Sequence, residues 1–378
     1  MSDDNSVPAF FWKKYRENVV GTQPYERAHH TTVISDTNKL IIFGGDDASG
    51  NVLNDLIVFD FERNCWDKTS VNKMLINKNK KLQLIDTIKN QVHFHVSQEF
   101  SSPPAGRSYH TAVFARPNMI IMGGYPYRME CEMFFLEVSM GTWTWTKYSM
   151  DANVPDEVKR PRSHHSASMW GDKMVVFGGI HGSTMLNDLM IFDTIKFKWT
   201  VIKNNLEAIY SHSCFVKDDN LFVVGGFKIN GPNDYMVISL SDGKQLTSSS
   251  FLPKINFAAR SLTTVYEEKF QRLYIFGGFS VDSDGEEIGC TNKITIIDLN
   301  TQKYGFITYS ISRGDYPKPR CGHTMVLYKG KLILFGGCDR LPLLNGEWVF
   351  CDFSNSIWEF TPPDPKQPLS DFIKIENP

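Results

Sequence analysis

Short apolar runs bounded by turn-forming residues recur along the chain, and six of them end in the same two residues. In order they read KLIIFGG, NMIIMGG, KMVVFGG, NLFVVGG, RLYIFGG and KLILFGG. Their glycine pairs are Gly44-Gly45, Gly123-Gly124, Gly178-Gly179, Gly225-Gly226, Gly277-Gly278 and Gly336-Gly337. The runs are β-branched and aromatic and do not alternate with polar residues. That pattern predicts strands buried on both faces. Upstream of each pair stands a second element: RAHHTTV, RSYHTAV, RSHHSAS, IYSHSCF, RSLTTVY and RCGHTMV, whose first residue precedes the pair by 16 or 17 positions. Downstream comes a third: NDLIVFD then Trp66, NDLMIFD then Trp199, NKITIID then Tyr304, and EWVFCD then Trp358, the aromatic falling six residues after the Asp. The second copy is looser (Ser139, then Trp145), and the fourth is the most degenerate (Ser239, then Gln245). Each unit therefore predicts strand a, a tight turn, strand b ending in Gly-Gly, a variable loop, strand c ending in Asp, a tight turn, and strand d at the aromatic. All connections suit an antiparallel meander.

Three elements in register, repeated six times, resemble the kelch repeat, whose marks are Arg-x-x-His, Gly-Gly after the second strand, and a downstream Tyr or Asp and Trp. The resemblance covers roughly residues 10–362. It implies an all-β, six-bladed β-propeller of four-stranded antiparallel blades around a central channel. Residues 1–9 and 363–378 are then short tails, with a loop insertion at about 67–106.

The residue types have local reasons. Gly reaches positive φ and lets another chain approach closely, so all twelve paired glycines are expected to be structural. Asp60, Asp193, Asp298 and Asp352 are placed at the c–d turn, where Asp bonds local backbone. The aromatics that follow are plates suited to the wedge between blades. His30, His110, His165, His212 and His323 share one repeat position, with Thr263 in their place in the fifth copy. Equivalent positions lie around a circle and do not converge at the roughly 2 Å a metal ligand needs, which favours a repeated structural hydrogen bond over a metal ring. Two segments compete for the last outer strand: Trp12–Tyr15 and Trp358–Thr361. The N-terminal one is expected to close the ring.

The two faces differ. The a–b and c–d turns are tight, whereas the b–c and d–a loops carry the length variation, including the acidic stretch with Asp282, Asp284, Glu286 and Glu287 and the 41 positions from Trp66 to Arg107. Loops on a rigid scaffold carry binding, so the b–c/d–a face is the expected binding face. Arg27, Arg107, Arg162, Arg260 and Arg320 start strand a near that face, and Ile209 breaks the set. Arg is suited to carboxylates, and the resemblance supports a basic ring that reads acidic peptides. Local packing between blades is the competing role. In the insertion, Lys73, Lys78, Lys80 and Lys81 read as a solvated basic start, and His93 and His95 as the polar face of a strand.

Lys and Arg total 40 against 42 Asp and Glu, a formal charge of −2 that gives no pull toward nucleic acid or an anionic membrane. The seven cysteines are odd in number and without a CxxC pair, which argues against a disulfide framework or a cysteine zinc site. The chain start lacks a signal-peptide pattern and no apolar stretch reaches membrane-spanning length, so a cytoplasmic location is expected, with the nucleus as alternative. No cofactor or metal is expected. No phosphate loop, Gly-x-Ser-x-Gly elbow, HExxH or Glu-x-x-x-Asp-x-x-x-His pattern occurs. The expected function is a non-catalytic scaffold or adaptor for a protein or peptide partner. A ubiquitin-ligase substrate receptor and a propeller enzyme with its site at the channel mouth are the alternatives.

Overall fold

Each apolar run ending in Gly-Gly forms the second strand of a four-stranded antiparallel sheet. The computed structural model describes residues 12–15, 20–67, 103–138, 143–246, 252, 259–281, 287–307, 316–342 and 348–364. The basic start of the insertion, His93 and His95, the acidic residues 282–286 and the C-terminal tail lie outside them. Among the described residues there are six such sheets. Blade one runs Thr31–Ile34, Lys39–Phe43, Leu56–Asp60 and Cys65–Asp67 as strands a to d. Blade two is Thr111–Ala115, Asn118–Met122, Met133–Val138 and Trp143–Lys147. Blade three is Ser166–Trp170, Lys173–Phe177, Leu189–Asp193 and Lys198–Ile202. Blade four is Ser213–Lys217, Asn220–Val224, Tyr235–Ser239 and the short Gln245–Leu246. Blade five is Thr263–Glu267, Arg272–Phe276, Ile294–Asp298 and Tyr304–Ile307.

Blade six joins the two ends of the chain. Its strands a to c are Thr324–Tyr328, Lys331–Phe335 and Ile357–Phe360, and its strand d is Trp12–Lys14, paired Trp12 to Phe360. The two segments expected to compete therefore occupy neighbouring strands. The run ending at Asp352 is not strand c. Trp348–Cys351 pairs with Asp339–Pro342 as a hairpin inside the b–c connection, which leaves the edge of strand b to Ile357–Phe360. Asp352 thus sits after a hairpin arm, whereas Asp60, Asp193 and Asp298 make the expected turns, each side chain accepting two following backbone N–H groups. In blade two the residue opposite Asn118, and so equivalent to Asp60, is Glu137 and not Ser139.

The sheets close on one another. The a strands adjoin in a cycle from blade one through six and back to one. Six apolar clusters fill the six seams, each built from two neighbouring blades. Because both faces of every sheet are covered, the b strands are buried along nearly their whole length, as their unbroken apolar runs require. The outer-strand tryptophans act as wedges. Trp66, Trp145 and Trp12 each set a ring edge on the phenylalanine that ends strand b of the preceding blade: Phe335 at 5.7 Å, Phe43 at 5.4 Å and Phe276 at 5.1 Å. Burying such a ring contributes on the order of 3 kcal/mol.

Two rings of hydrogen bonds complete the closure. At the head of each strand a, one residue takes positive φ and donates its N–H to the carbonyl of its counterpart in the preceding blade. The circle runs His29, Tyr109, His164, Ser211, Ser261 and Gly322, and returns to His29, at 2.7–3.3 Å. Next to it, a histidine Nε2 meets a Thr or Ser hydroxyl of the preceding blade: His110 with Thr31, His165 with Thr111, His212 with Ser166, His323 with Thr263 and His30 with Thr324, at 2.7–2.9 Å. Between blades four and five, a Ser213–Thr264 hydroxyl pair at 2.8 Å takes this place.

Candidate binding face

The glycine pair and the arginine form one local device. All twelve paired glycines have positive φ. At Gly178 the φ is +64°, and a Cβ would lie 2.6 Å from the Ile209 carbonyl oxygen of the next blade, so the seam admits only glycine there. The carbonyl of the first glycine then receives the arginine. Nη1 of Arg27, Arg107, Arg162 and Arg320 donates to the carbonyls of Gly44, Gly123, Gly178 and Gly336 at 2.7–3.0 Å. The other donors find acids that precede strand c: Arg27 grips Asp55 through both Nη atoms, and Nη2 of Arg107 and Arg162 reach Glu132 and Asp188. Arg320 donates to the carbonyls of Gly336 and Lys318 and, among the described residues, to no carboxylate. The four arginines are at most 5% exposed, so their guanidinium forks are directed into the blade and not toward a ligand on the face.

Blade five breaks the register. Ser261 is its positive-φ residue, so Leu262 stands at the histidine position and Thr263 at the position of Thr31 and Thr111. The arginine position falls on Ala259, and Arg260 is displaced by one residue toward the mouth. The sequence hid this shift because the a–b turn of blade five is lengthened by the 3-10 turn Glu268–Phe270, which offsets the spacing to Gly277. Arg260 lies 5.7 Å from the Phe227 ring and 5.3 Å from Phe279, and burial holds its basicity below the ordinary value. Arg340, which the sequence reading missed, faces Phe279 at 4.5 Å and Phe350 at 4.8 Å. Its only sequence signal is its place just after Gly336-Gly337, on a b–c loop.

Around the mouth, the side chains of the positive-φ ring stack. His29 lies on Tyr109 at 4.0 Å, Tyr109 on His164 at 3.8 Å, and Tyr210 sets an edge on His164 at 6.1 Å. Burial holds His164 down to about 3, so it is a neutral aromatic plate. His29 differs: burial opposes its charge, but the Asp46 carboxylate at 2.8 Å raises it to about 9. The b–c connections of blades three to six rise from this rim as hairpins, with second arms at Thr184–Met185, Gly231–Pro232, Glu287–Cys290 and Trp348–Cys351. Of nine large apolar side chains exposed among the described residues, seven stand on the b–c/d–a face: Tyr25, Tyr125, Met129, Ile229, Ile288, Val349 and Phe350. Ile195 is on a c–d turn of the other face, and Val20, on the d–a connection into blade one, is bridged to Cys65 at that blade's c–d turn.

A closed circle of antiparallel four-stranded blades with this repeat defines a β-propeller. The family profile described as the KLHDC2/KLHL20/DRC7 Kelch-repeats domain matches residues 75–244 and 211–370, and the Kelch motif matches residues 27–70. The chain belongs to the kelch-repeat family. It is 23% identical to host cell factor of Drosophila melanogaster over 89% of its own length and 22% of that protein. It is 24% identical to the leucine-zipper-like transcriptional regulator 1 homolog of Drosophila melanogaster, over 87% of the chain and 31% of the relative. It is 28% identical to human Kelch domain-containing protein 3 over 54% of the chain and 48% of the relative. The chain thus spans between about a fifth and a half of these relatives. Kelch-repeat families are generally non-catalytic interaction domains. Among the described residues no helix is long and apolar enough to cross a membrane.

Proposed function

We propose that this propeller is a protein-interaction scaffold or adaptor in the cytoplasm, which receives a peptide segment of a protein partner across the b–c/d–a face. The observation that carries this reading is the gathering of seven exposed large apolar side chains on that face, against Ile195 and Val20 at the c–d turns of the other. Arg260 and Arg340, backed by Phe227, Phe279 and Phe350, supply cationic contacts for an acidic residue of the partner. Arg27, Arg107, Arg162 and Arg320 serve by holding the blades that carry the loops. Aromatic plates with adjacent arginines are the side chains that dominate binding energy at interfaces.

The test is affinity capture from cells with three versions of the chain: intact, Arg260→Ala with Arg340→Ala, and Ile195→Glu. A partner held by the intact chain and by Ile195→Glu but lost from the arginine pair supports the reading. Retention by the arginine pair together with loss from Ile195→Glu moves the binding surface to the opposite face and overturns it.

A further inference from the structure

Ring closure brings together thiols that lie far apart in the sequence. Cys321 and Cys338 of blade six face each other across an antiparallel bridge, exchanging N–H to carbonyl bonds at 2.8 and 3.0 Å. His29 of blade one completes a buried group in which the two sulfurs and a ring nitrogen all lie within 4.8 Å of one another. Cys290, on the hairpin of blade five, places its Sγ 4.0 Å from the Cys338 carbonyl. We propose that His29, Cys321 and Cys338, with Cys290 as the candidate fourth ligand, form a zinc site that staples blades five, six and one at the channel mouth.

Four features support this. Thiolate and imidazole are the donor set zinc prefers, and a tetrahedral site needs ligand atoms about 3.8 Å apart, a closure of about 1 Å from the present spacing. Asp46 binds Nδ1 of His29 at 2.8 Å, which leaves Nε2 for the thiols and fixes the ring as an outer carboxylate does for zinc-bound histidines. Nε2 lies against Gly322, where a Cβ would come within 2.6 Å, so the ring is admitted to the cluster by a glycine. A guanidinium also stands beside the cluster. Arg320 lacks the carboxylate that Arg27, Arg107 and Arg162 have, because Ser356 stands where Asp55, Glu132 and Asp188 stand. The groups near it are Cys338, Asp339 and Cys290. Spacing along the sequence hid the set, since its members come from three blades.

Cobalt(II) titration of the reduced, metal-stripped full chain reads the site directly, since thiolate ligation gives an intense sulfur-to-cobalt charge-transfer band. The expected result is one equivalent of cobalt with that band, displaced by zinc, and a melting temperature raised by zinc. Cys338→Ser should weaken binding by more than about 100-fold, beyond the 10–100-fold typical of outer-shell changes. Cys65→Ser, elsewhere in the ring, should leave it unchanged. Absence of the band in the folded wild-type chain overturns the proposal, whatever the variants do. So does a band that survives in Cys321→Ser and Cys338→Ser. If the unreduced chain instead holds a Cys321–Cys338 disulfide and the reduced chain binds no cobalt, the pair is a redox couple and the zinc site is overturned.

Discussion

In five of the six repeats a neutral histidine sits inside a seam, and that gives the molecule a definite pH response. Burial holds His110, His212 and His323 down to about 3, helped at His110 and His323 by the arginine three residues earlier, and His30 and His165 shift the same way. At His323 the Nε2 also lies 3.2 Å from the Phe276 carbonyl, an acceptor only, so Nε2 carries the hydrogen. The unfolded chain takes up protons near pH 6.5 while these rings do not. Their contribution is therefore full above that value and is lost as pH falls toward 3, at up to about 1.4 kcal/mol per pH unit for each ring. His29 has the opposite sign: its contribution is present below about 6.5 and lost as pH rises through about 9. Urea unfolding of wild type between pH 7 and 5 should show a steep loss of stability, and His212→Gln should reduce the slope by about one proton. An unchanged slope would show that His212 takes up its proton in the fold as readily as in the unfolded chain. The arginines separate in the same assay. Arg162→Ala leaves Asp188, which is only 10% exposed, with Arg160 at 3.3 Å and takes the buried donor from the Gly178 carbonyl, at a cost of about 2–3 kcal/mol. Arg260→Ala should cost under about 1 kcal/mol, as for a side chain at a rim. Equal losses would place both arginines in one structural role.

At the scale of elements, the strand Trp12–Lys14 carries more than its length suggests. Three residues complete blade six, and Trp12, 5% exposed, fills the wedge against Phe276 while Tyr15 donates its hydroxyl to Glu359 at 2.7 Å. Trp12→Ala should cost about 3–5 kcal/mol and speed hydrogen exchange in Ile357–Phe360 far more than in blade three. Equal protection in the two blades would mean that the strand is dispensable. The strands themselves were legible, because apolar runs, turn residues and Gly-Gly report local backbone. Two kinds of feature were not. The hairpin arm Trp348–Cys351 has the composition of a strand c, and only pairing in three dimensions distinguishes it. The arginine at 260 looks like its counterparts because the lengthened turn Glu268–Phe270 compensates its offset. Burial of the other four arginines was equally hidden, since their acids sit at different distances along the chain: Asp55, Glu132 and Asp188 belong to loops of unequal length.

The whole molecule is a ring, and a ring is only as strong as its weakest seam. An open repeat array frays from its ends, but here every blade has two neighbours and the two chain ends share one sheet, so no blade is terminal. Blade four, counted over its two seams, nevertheless lacks much of what the others have. Leu262 replaces the bridging histidine, leaving the Ser213–Thr264 hydroxyl pair. Ile209 stands where four other blades have arginine, and Asn233 supplies the donor to the Gly225 carbonyl instead. On the side of blade three, exposed Gln245 takes the place of the wedge aromatic on a strand d of two residues, whereas Tyr304 keeps the wedge toward blade five. Neutral hydrogen bonds contribute about 1 kcal/mol each and a buried aromatic on the order of 3 kcal/mol, so the deficit over the two seams of blade four is several kcal/mol. Opening should begin there. In native-state hydrogen exchange, Ser213–Lys217 and Tyr235–Ser239 should exchange through an opening several kcal/mol below that of Ser166–Trp170 and Leu189–Asp193 in blade three. Identical opening energies around the circle would mean that closure distributes load evenly and that no single seam limits the fold. If blade four does open first, the hairpin at Phe227–Pro232, with exposed Ile229, is the most adaptable part of the proposed binding face. A partner seated on it should then slow exchange in blade four more than in any other blade.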